Sequence, residues 1–356
     1  MPTPFVSVLI DTYNHERFIE QAILSVLEQD FPATDREILV VDDGSQDRTP
    51  AIAAKFSPQT RLICKVNGGQ ASAFNTGIPE CQGEIVAFLD GDDWWAPEKL
   101  KQVVAAFSEN PGVGLIGHSI TEVLAEGARR CELIRESPHF RIDSVAGARL
   151  FRLRKSFLGT SRMSYRAELL RRIGPVPESL TIQADEFLFT LGALFSEVLL
   201  LRDPLTFYRL HGQNLFQVSD GSAAALRRKH AVLVALVDSL RRRFAEERVS
   251  EEVSEAIIEA VQTEADALHL CLGGGTPLDT IRTELRTYRI DYDQASAFRW
   301  TLKLLSLFPA LFLSPKKYAD WKQKLASNSL YRRFRQRFVP HLRPNHVDRT
   351  GDWSQR

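Results

Sequence analysis

The 356-residue chain is marked first by what it does not contain. No run of about eighteen apolar residues occurs, which excludes a membrane-spanning helix. The nearest approach, Leu304 to Leu313, is interrupted by Pro309 and flanked by Lys303, Lys316 and Lys317, so it can lie on a membrane but not cross one. Cysteine is scarce: Cys64, Cys81, Cys131 and Cys271 have neither metal-ligand spacing nor a pairing pattern. This predicts reduced thiols in a cytoplasmic protein and argues against a zinc site. Met1-Pro2-Thr3-Pro4 leads into a short apolar stretch that lacks the basic and hydrophobic regions of a signal peptide, which predicts against secretion by that route.

Net charge is also absent, since 45 Lys and Arg balance 45 Asp and Glu. The balance is not uniform. Residues 299 to 343 hold eleven basic residues against the single acid Asp320, leaving the rest of the chain about ten units acidic. Three nucleotide-binding signatures are missing as well. The segment after the first apolar run reads Asp11-Thr12-Tyr13-Asn14-His15-Glu16, without the glycine-rich turn a nicotinamide-binding dehydrogenase requires. No Gly-Lys-Ser or Gly-Lys-Thr element marks a P-loop, and no glycine-rich N-terminal loop with an Arg marks a sugar nucleotidyltransferase. No recognised nucleic-acid-binding fold accompanies the basic residues, so no nucleic-acid partner is predicted.

What is present is ordinary globular composition, 44% hydrophobic and 25% charged, and a clear alternation of patterns. Val6 to Ile10 reads as a strand, and residues 15 to 29 put Phe18, Ala22, Ile23, Val26 and Leu27 on one helical face that Phe31-Pro32 ends. Ile38 to Val41 and Leu62 to Val66 read as further strands. A short helix follows at Ala71 to Asn75, then a fourth strand from Glu84 to Leu89 that runs into Asp90. Strands separated by helices predict a parallel α/β sheet, and acidic and glycine residues collect at the carboxyl edge where such sheets bind ligands. Residues 110 to 218 are mixed, with a helix predicted over 165–173. Beyond 220, Leu226 to Phe244 and Val253 to Leu272 keep helical spacing, with Gly273-Gly274-Gly275 as a stop.

Asp90-Gly91-Asp92-Asp93 places three mutually repelling carboxylates at a strand end, followed by Trp94, Trp95 and Pro97. Hard oxygen ligands of this kind suit Mg²⁺ or Mn²⁺ shared with a substrate's phosphates, or else form a solvated acidic turn. Asp42-Asp43-Gly44-Ser45 can accept hydrogen bonds from a base or ribose, or be a β-turn.

In order and spacing, Val6 to Asn14, Asp42-Asp43-Gly44-Ser45, Asn67-Gly68-Gly69 with Asn75 and Gly77, and Phe88 to Asp93 resemble the nucleotide-sugar half of family 2 glycosyltransferases. The resemblance covers residues 5 to 215. It implies a GT-A fold: a Rossmann-like mixed sheet flanked by helices, here with a C-terminal helical extension. It implies an inverting transfer from a nucleotide diphosphate sugar, UDP-linked by preference, to the hydroxyl of a glycan or lipid-linked acceptor, with Mn²⁺ or Mg²⁺. Donor-binding roles fall to Thr12, Tyr13, Asn14, Glu16, Asp42, Asp43, Gly69, Asn75, Asp90, Gly91, Asp92, Asp93, Arg209 and His211. Metal ligation falls to Asp92, Asp90 and His211. Asp11 departs from the proline many relatives carry. Inverting transfer needs a base for the acceptor hydroxyl, and Asp185 in Gln183-Ala184-Asp185-Glu186 takes the matching position, with Glu186 second; an N-capping Asp is the other reading of that residue. Trp94, Thr160 and Ser161 fall where relatives shape the acceptor pocket.

The expected organisation is a catalytic domain over 1–218, divided near residue 100, a helical extension over 219–290, and a basic amphipathic segment over 291–356 with a disordered end. Its apolar and basic residues suit either an anionic membrane surface at the cytoplasmic face or docking on the catalytic domain. The competing reading is a non-catalytic nucleotide-sugar-binding or peripheral membrane relative.

Overall fold

A computed structural model describes residues 5–124, 126–134, 138–211, 222–291 and 296–327. They fall into two compact units divided between Ser219 and Asp220. Predictions that concern the basic residues beyond 327 lie outside the described residues.

The first unit follows the order β1 (Val6–Thr12), α1 (Ile19–Leu27), β2 (Arg36–Asp42), α2 (Thr49–Ala53), β3 (Arg61–Cys64), α3 (Gln70–Gly77), β4 (Ile85–Asp90), β5 (Trp94–Trp95) and α4 (Lys99–Glu109). It continues with β6 (Val113–Val123), β7 (Arg129–Glu132), β8 (His139–Phe140), α5 (Val145–Arg154), β9 (Ser164–Arg166), α6 (Ala167–Ile173), α7 (Ala184–Phe195) and β10 (Glu197–Arg209). One sheet orders them β3-β2-β1-β4-β9-β6-β10-β5, with β7 on β6 and β8 on β10. The β1–β2, β2–β3, β1–β4 and β6–β10 pairs are parallel, and β9 runs antiparallel to both β4 and β6. The mixed sheet that the family resemblance implies is therefore the fold; the parallel sheet read from the strand–helix alternation holds for β1 to β4 but not beyond, where β5, β7, β8 and β9 pair antiparallel.

Continuous apolar runs make the central strands because helices cover both faces. Val6, Val8 and Ile10 from β1, Ile85, Ala87 and Leu89 from β4, and Ile19, Ala22, Ile23 and Val26 from α1 form one buried cluster. Three differences from the sequence reading have local causes. The first helix ends at Leu27 rather than running to 29, because Gln29 turns its amide to Ser25 O and Ala96 O instead of continuing the helical ladder. The third strand stops at Cys64, and Val66 lies outside it, 88% exposed, as Lys65 turns back to Asp42 and Asp43. Tyr165 and Arg166, expected to open a helix over 165–173, instead lie with Ser164 in β9 between β4 and β6, and the helix begins at Ala167.

The second unit comprises α8 (Ala223–Glu246), α9 (Glu251–Cys271), α10 (Pro277–Asp291), α11 (Ala297–Ser306) and α12 (Pro315–Ser327). Ser222 and Ser250 accept hydrogen bonds from Ala225 N and Val253 N to cap α8 and α9, each cap being worth about 1 kcal/mol. The short α8–α9 connection, the Lys229–Glu264 ion pair and the His230–His269 ring contact define an antiparallel hairpin. Its seam buries Leu233, Leu236, Val237 and Leu240 with Val253, Ile257 and Val261. Among the described residues no helix is long and apolar enough to cross a membrane, and all four cysteines are free.

Candidate active site

The strand order places a crevice at the carboxyl ends of β1 and β4, because the chain proceeds from β1 to β2 and β3 on one side and returns to β4 on the other. Register sets Asp11 opposite Asp90 and Thr12 opposite Asp42. The acidic residues that follow three separate strands are thereby brought to one edge.

Asp90, Asp92 and Asp93 each offer a carboxylate oxygen, and these atoms lie within 4.8 Å of one another. Their environments differ. Burial, followed by the neighbouring carboxylates Asp11 and Asp92, pushes Asp90 well above the usual range. Burial and then Asp92 raise Asp93 to about 8. Burial would also raise Asp92, but a hydrogen bond from His211 and the charge of His15 more than offset it, so its pKa is lowered. The favoured negative charge of the cluster thus resides on Asp92, with His211 Nε2 at 3.0 Å and His15 Nε2 at 3.9 Å from Oδ2.

His15 escaped the sequence reading, although it stands in the first loop between Asn14 and Glu16. Its Nδ1 meets Thr12 Oγ1 at 3.1 Å. Gly91 is required there: a Cβ would approach Thr12 Oγ1 to 2.5 Å and His15 Nδ1 to 2.9 Å. Asp11, the departure from proline, also lies in the cluster. Its Oδ1 is buried without a hydrogen bond, and burial, then Asp92, holds its pKa well above the usual range.

Asp93 is committed to the turn. It accepts from Ser161 Oγ at 2.6 Å and from Arg209 N at 2.9 Å. Ser161, expected near the acceptor, is buried behind it, and its carbonyl accepts from Lys99 Nζ, Thr206 Oγ1 and Trp95 Nε1 at 2.7, 2.7 and 3.2 Å. Arg209 donates through Nε to Asp92 O and through its guanidinium to Gln21 Oε1. Its guanidinium lies 4.6 Å from the ring centre of Phe18 and 4.4 Å from that of Trp94, which stacks on Phe207. In this arrangement Arg209 and Trp94 brace the acidic turn.

Asp185 opens α7 as its second residue, after Gln183 in the left-handed region at φ 57. Its Oδ1 accepts from Glu186 N at 2.9 Å, and its Oδ2 lies 3.2 Å from Thr160 N and 3.3 Å from Thr160 Oγ1. Thr160 Oγ1 in turn accepts from Gln70 Nε2, while Gln70 Oε1 accepts from Ala184 N. This relay through Gln70, another residue the sequence reading passed over, links α3 to the start of α7. Burial, then the Glu186 charge, raises Asp185 from 3.8 to about 6. Glu186 itself is buried in an ion pair with Lys155.

At the end of β2, Asp43 is enclosed by donors: Lys65 Nζ at 2.7 Å, Gly68 N at 3.0 Å and Gly69 N at 2.7 Å. Gly69 holds φ +82, and a Cβ there would come within 2.7 Å of the Thr181 backbone. Asp42 accepts from Ser45 N, yet its Oδ1 is buried without a partner. Thr12 is buried and Tyr13 partly exposed. Asn14 and Glu16 bind across to the second loop, Asn14 to Gln46 N and Ser45 Oγ, Glu16 to Arg48 and, through its own N–H, Asp47. Asn75 is turned from this group and exchanges two hydrogen bonds of 2.8 Å with the Val176 backbone.

A helix-flanked mixed sheet carrying its acidic edge at this switch point is the GT-A glycosyltransferase fold. Staphylococcus aureus TarS residues 1–349, solved in complex with UDP-GlcNAc, is similar over 81% of this chain and 88% of that one, with TM-score 0.52 and 22% identity. The mannosyltransferase PcManGT of Pyrobaculum calidifontis, solved with GDP-Man and Mn²⁺, is similar over 96% of this chain and 89% of that one, with TM-score 0.50 and 21% identity. By sequence, residues 7–174 match the glycosyl transferase family 2 profile, so this segment of the chain is a family 2 glycosyltransferase region. It is 33% identical over 214 residues to the uncharacterized glycosyltransferase alr2836 of Nostoc sp., a match spanning 59% of this chain and 66% of that relative, just under two thirds.

Proposed function

We propose that this chain is a metal-dependent inverting glycosyltransferase. It would move a hexosyl or N-acetylhexosaminyl group from a nucleotide diphosphate donor to a hydroxyl of a glycan or lipid-linked acceptor, in the cytoplasm, as a step in cell-surface polysaccharide or glycan synthesis. The observation that carries this reading is the cluster of Asp90, Asp92 and Asp93 at the sheet edge, with oxygens within 4.8 Å of one another, together with a separate carboxylate, Asp185, held at the start of α7 by Thr160. The nucleotide sugars bound by TarS and PcManGT support a nucleotide diphosphate donor, and UDP is favoured as the commonest nucleotide in the family.

The three clustered carboxylates fit a hard divalent cation, because their repulsion and burial are relieved by positive charge and all their donors are oxygen. Mg²⁺ or Mn²⁺ bound there would supply neutralisation of the charge that grows on the departing diphosphate. Asp92 would be the principal ligand, with Asp90 beside it, His211 and His15 holding the Asp92 carboxylate, and Asp93 keeping the turn in shape. Asp42 is the better-placed partner for base or ribose, since Asp43 is already occupied by Lys65 and the Gly68 and Gly69 amides.

Asp185 would act as base. A group near 6 is ionised at neutral pH and still basic enough to take a proton, the compromise that acid–base catalysis favours. As the acceptor oxygen bonds to the anomeric carbon, its proton passes to Asp185 and the carbon–oxygen bond to the diphosphate breaks, inverting that carbon in one displacement. Thr160 and Gln70 hold the Asp185 carboxylate, and Glu186, paired with Lys155, holds the helix start.

The test is thermal unfolding of the full chain with UDP, GDP, dTDP and their sugar conjugates in Mn²⁺, Mg²⁺ or EDTA. Ligand at about a hundredfold excess over Kd should stabilise by about 2.7 kcal/mol. One nucleotide series should respond, and the response should vanish in EDTA and in Asp92→Ala. No response to any nucleotide would favour the non-catalytic relative.

A further inference from the structure

In α11 the usual sidedness of a surface helix is inverted. Phe298, Leu302 and Leu305, spaced i, i+4 and i+7, share one face and are exposed, Phe298 at 71% and Leu305 at 67%. The inward side instead carries Lys303, whose Nζ donates to Glu284 Oε2 at 2.7 Å, and Trp300, whose ring packs edge-on against Tyr288. Burial pushes the Glu284 carboxyl up, but Lys322 and Lys303 more than compensate and lower it, so the polar side is anchored to α10 by charge. The apolar face continues through the turn after α11. There Leu307 and Ala310 point into a small core with Tyr318, while Phe308, Leu311 and Phe312 point outward, Phe312 at 73% exposure. The rings of Phe308 and Phe312 pack together at 5.2 Å, directly after α11 in the chain.

Six large apolar side chains turned to water cost the free protein the burial energy of each, about 1.5–3 kcal/mol apiece, unless something covers them. Their setting says what. Lys316 and Lys317, exposed at the start of α12, follow directly, in a stretch holding eleven basic residues and one acid between 299 and 343. We propose that α11 and the turn after it form a docking surface for an anionic lipid bilayer, with Phe298, Leu305 and Phe312 inserting among the acyl chains and Lys316 and Lys317 meeting the headgroups. The inference goes beyond the transfer reading and does not depend on it.

Flotation of the full-length chain with phosphatidylcholine vesicles, with and without phosphatidylglycerol, tests it. Binding is expected to the anionic vesicles and to fall with added salt. Replacing Phe298, Leu305 and Phe312 together by Ser should lower the partition coefficient by about a thousandfold, since each inserted side chain contributes about tenfold. These side chains are exposed, so the melting temperature should be unchanged; if the triple variant does not fold, Lys316→Gln with Lys317→Gln should cost about fivefold per lysine on anionic vesicles only. Three results would overturn the proposal: no wild-type binding to either vesicle, undiminished binding by the variants, or a wild-type dimer, seen by light scattering, that the triple substitution dissociates while vesicles bind neither protein. The last would assign the patch to a second copy of the chain. Each is separable from the nucleotide response, which reads the other unit.

Discussion

Replacing Asp185 by Asn should abolish transfer and stabilise the protein in the same stroke. The carboxyl is raised from 3.8 to about 6 by burial and by Glu186. A shift of this size penalises the ionised form by roughly 3 kcal/mol at pH above both values. The sign follows from proton binding: the folded state holds the Asp185 proton more tightly than the unfolded chain. Stability contributed by this group is therefore present below 3.8, declines as pH rises to about 6, and is constant beyond. Asn removes the penalty but turns an amide donor toward Thr160 N or Glu186 N, which returns about 1 kcal/mol. The net gain above neutrality is about 2 kcal/mol, or about 4–8 °C in Tm for a unit of this size. Loss of the base should lower kcat by roughly 10²–10⁴. Melting curves in EDTA from pH 4 to 8, with transfer measured in parallel, test both halves, and wild-type transfer should lose activity on the acid side near pH 6. A variant that transfers at the wild-type rate refutes the base assignment. A melting gain of equal size at pH 4 and pH 8 refutes the charge-burial argument.

The neighbouring carboxylate should behave oppositely. Glu186→Gln removes the carboxylate that pairs with the Lys155 ammonium, which is only 28% exposed, and should cost about 1–3 kcal/mol in chemical unfolding while kcat stays within an order of magnitude. His211→Ala removes the hydrogen bond that helps lower the Asp92 pKa, so Asp92 should ionise at higher pH. Cation-dependent donor affinity, measured by calorimetry across pH, should then fail at a higher pH than in the wild type as the solution is acidified; an unmoved profile would show that His211 does not tune Asp92.

The first hundred residues were legible because their signals are local. Apolar runs end in Asp90 or Asp42, and strand order alone then brings these ends together at one crevice. What sequence could not show was how side chains divide the work there. Asp42 and Asp43 are adjacent and chemically identical on paper, and only the approach of Lys65, Gly68 and Gly69 decides which one is occupied. Ser161 reads as a loop hydroxyl, yet three donors from β5, α4 and β10 converge on its carbonyl and draw it inside. The long strands β6 and β10 were hidden for another reason. Gly114, Gly117 and His118 interrupt the apolar run of the first, and Arg202, Asp203 and Pro204 interrupt the second at a register shift. Sequence periodicity has no means of distinguishing such a bulge from a loop.

The short strand β9 has a mechanical consequence. By pairing with β4 on one side and β6 on the other, it makes a single hydrogen-bonded sheet of the strands before and after residue 100. Many enzymes that handle two substrates open and shut by swinging one lobe about a hinge, but here that swing would tear main-chain ladders on both sides of β9. The floor of the cleft is consequently rigid. On the proposed function, entry of donor and escape of the spent nucleotide would fall to the segments that cross the sheet edge, and turnover limited by product release would respond to changes in those loops and not to changes in the strands beneath them.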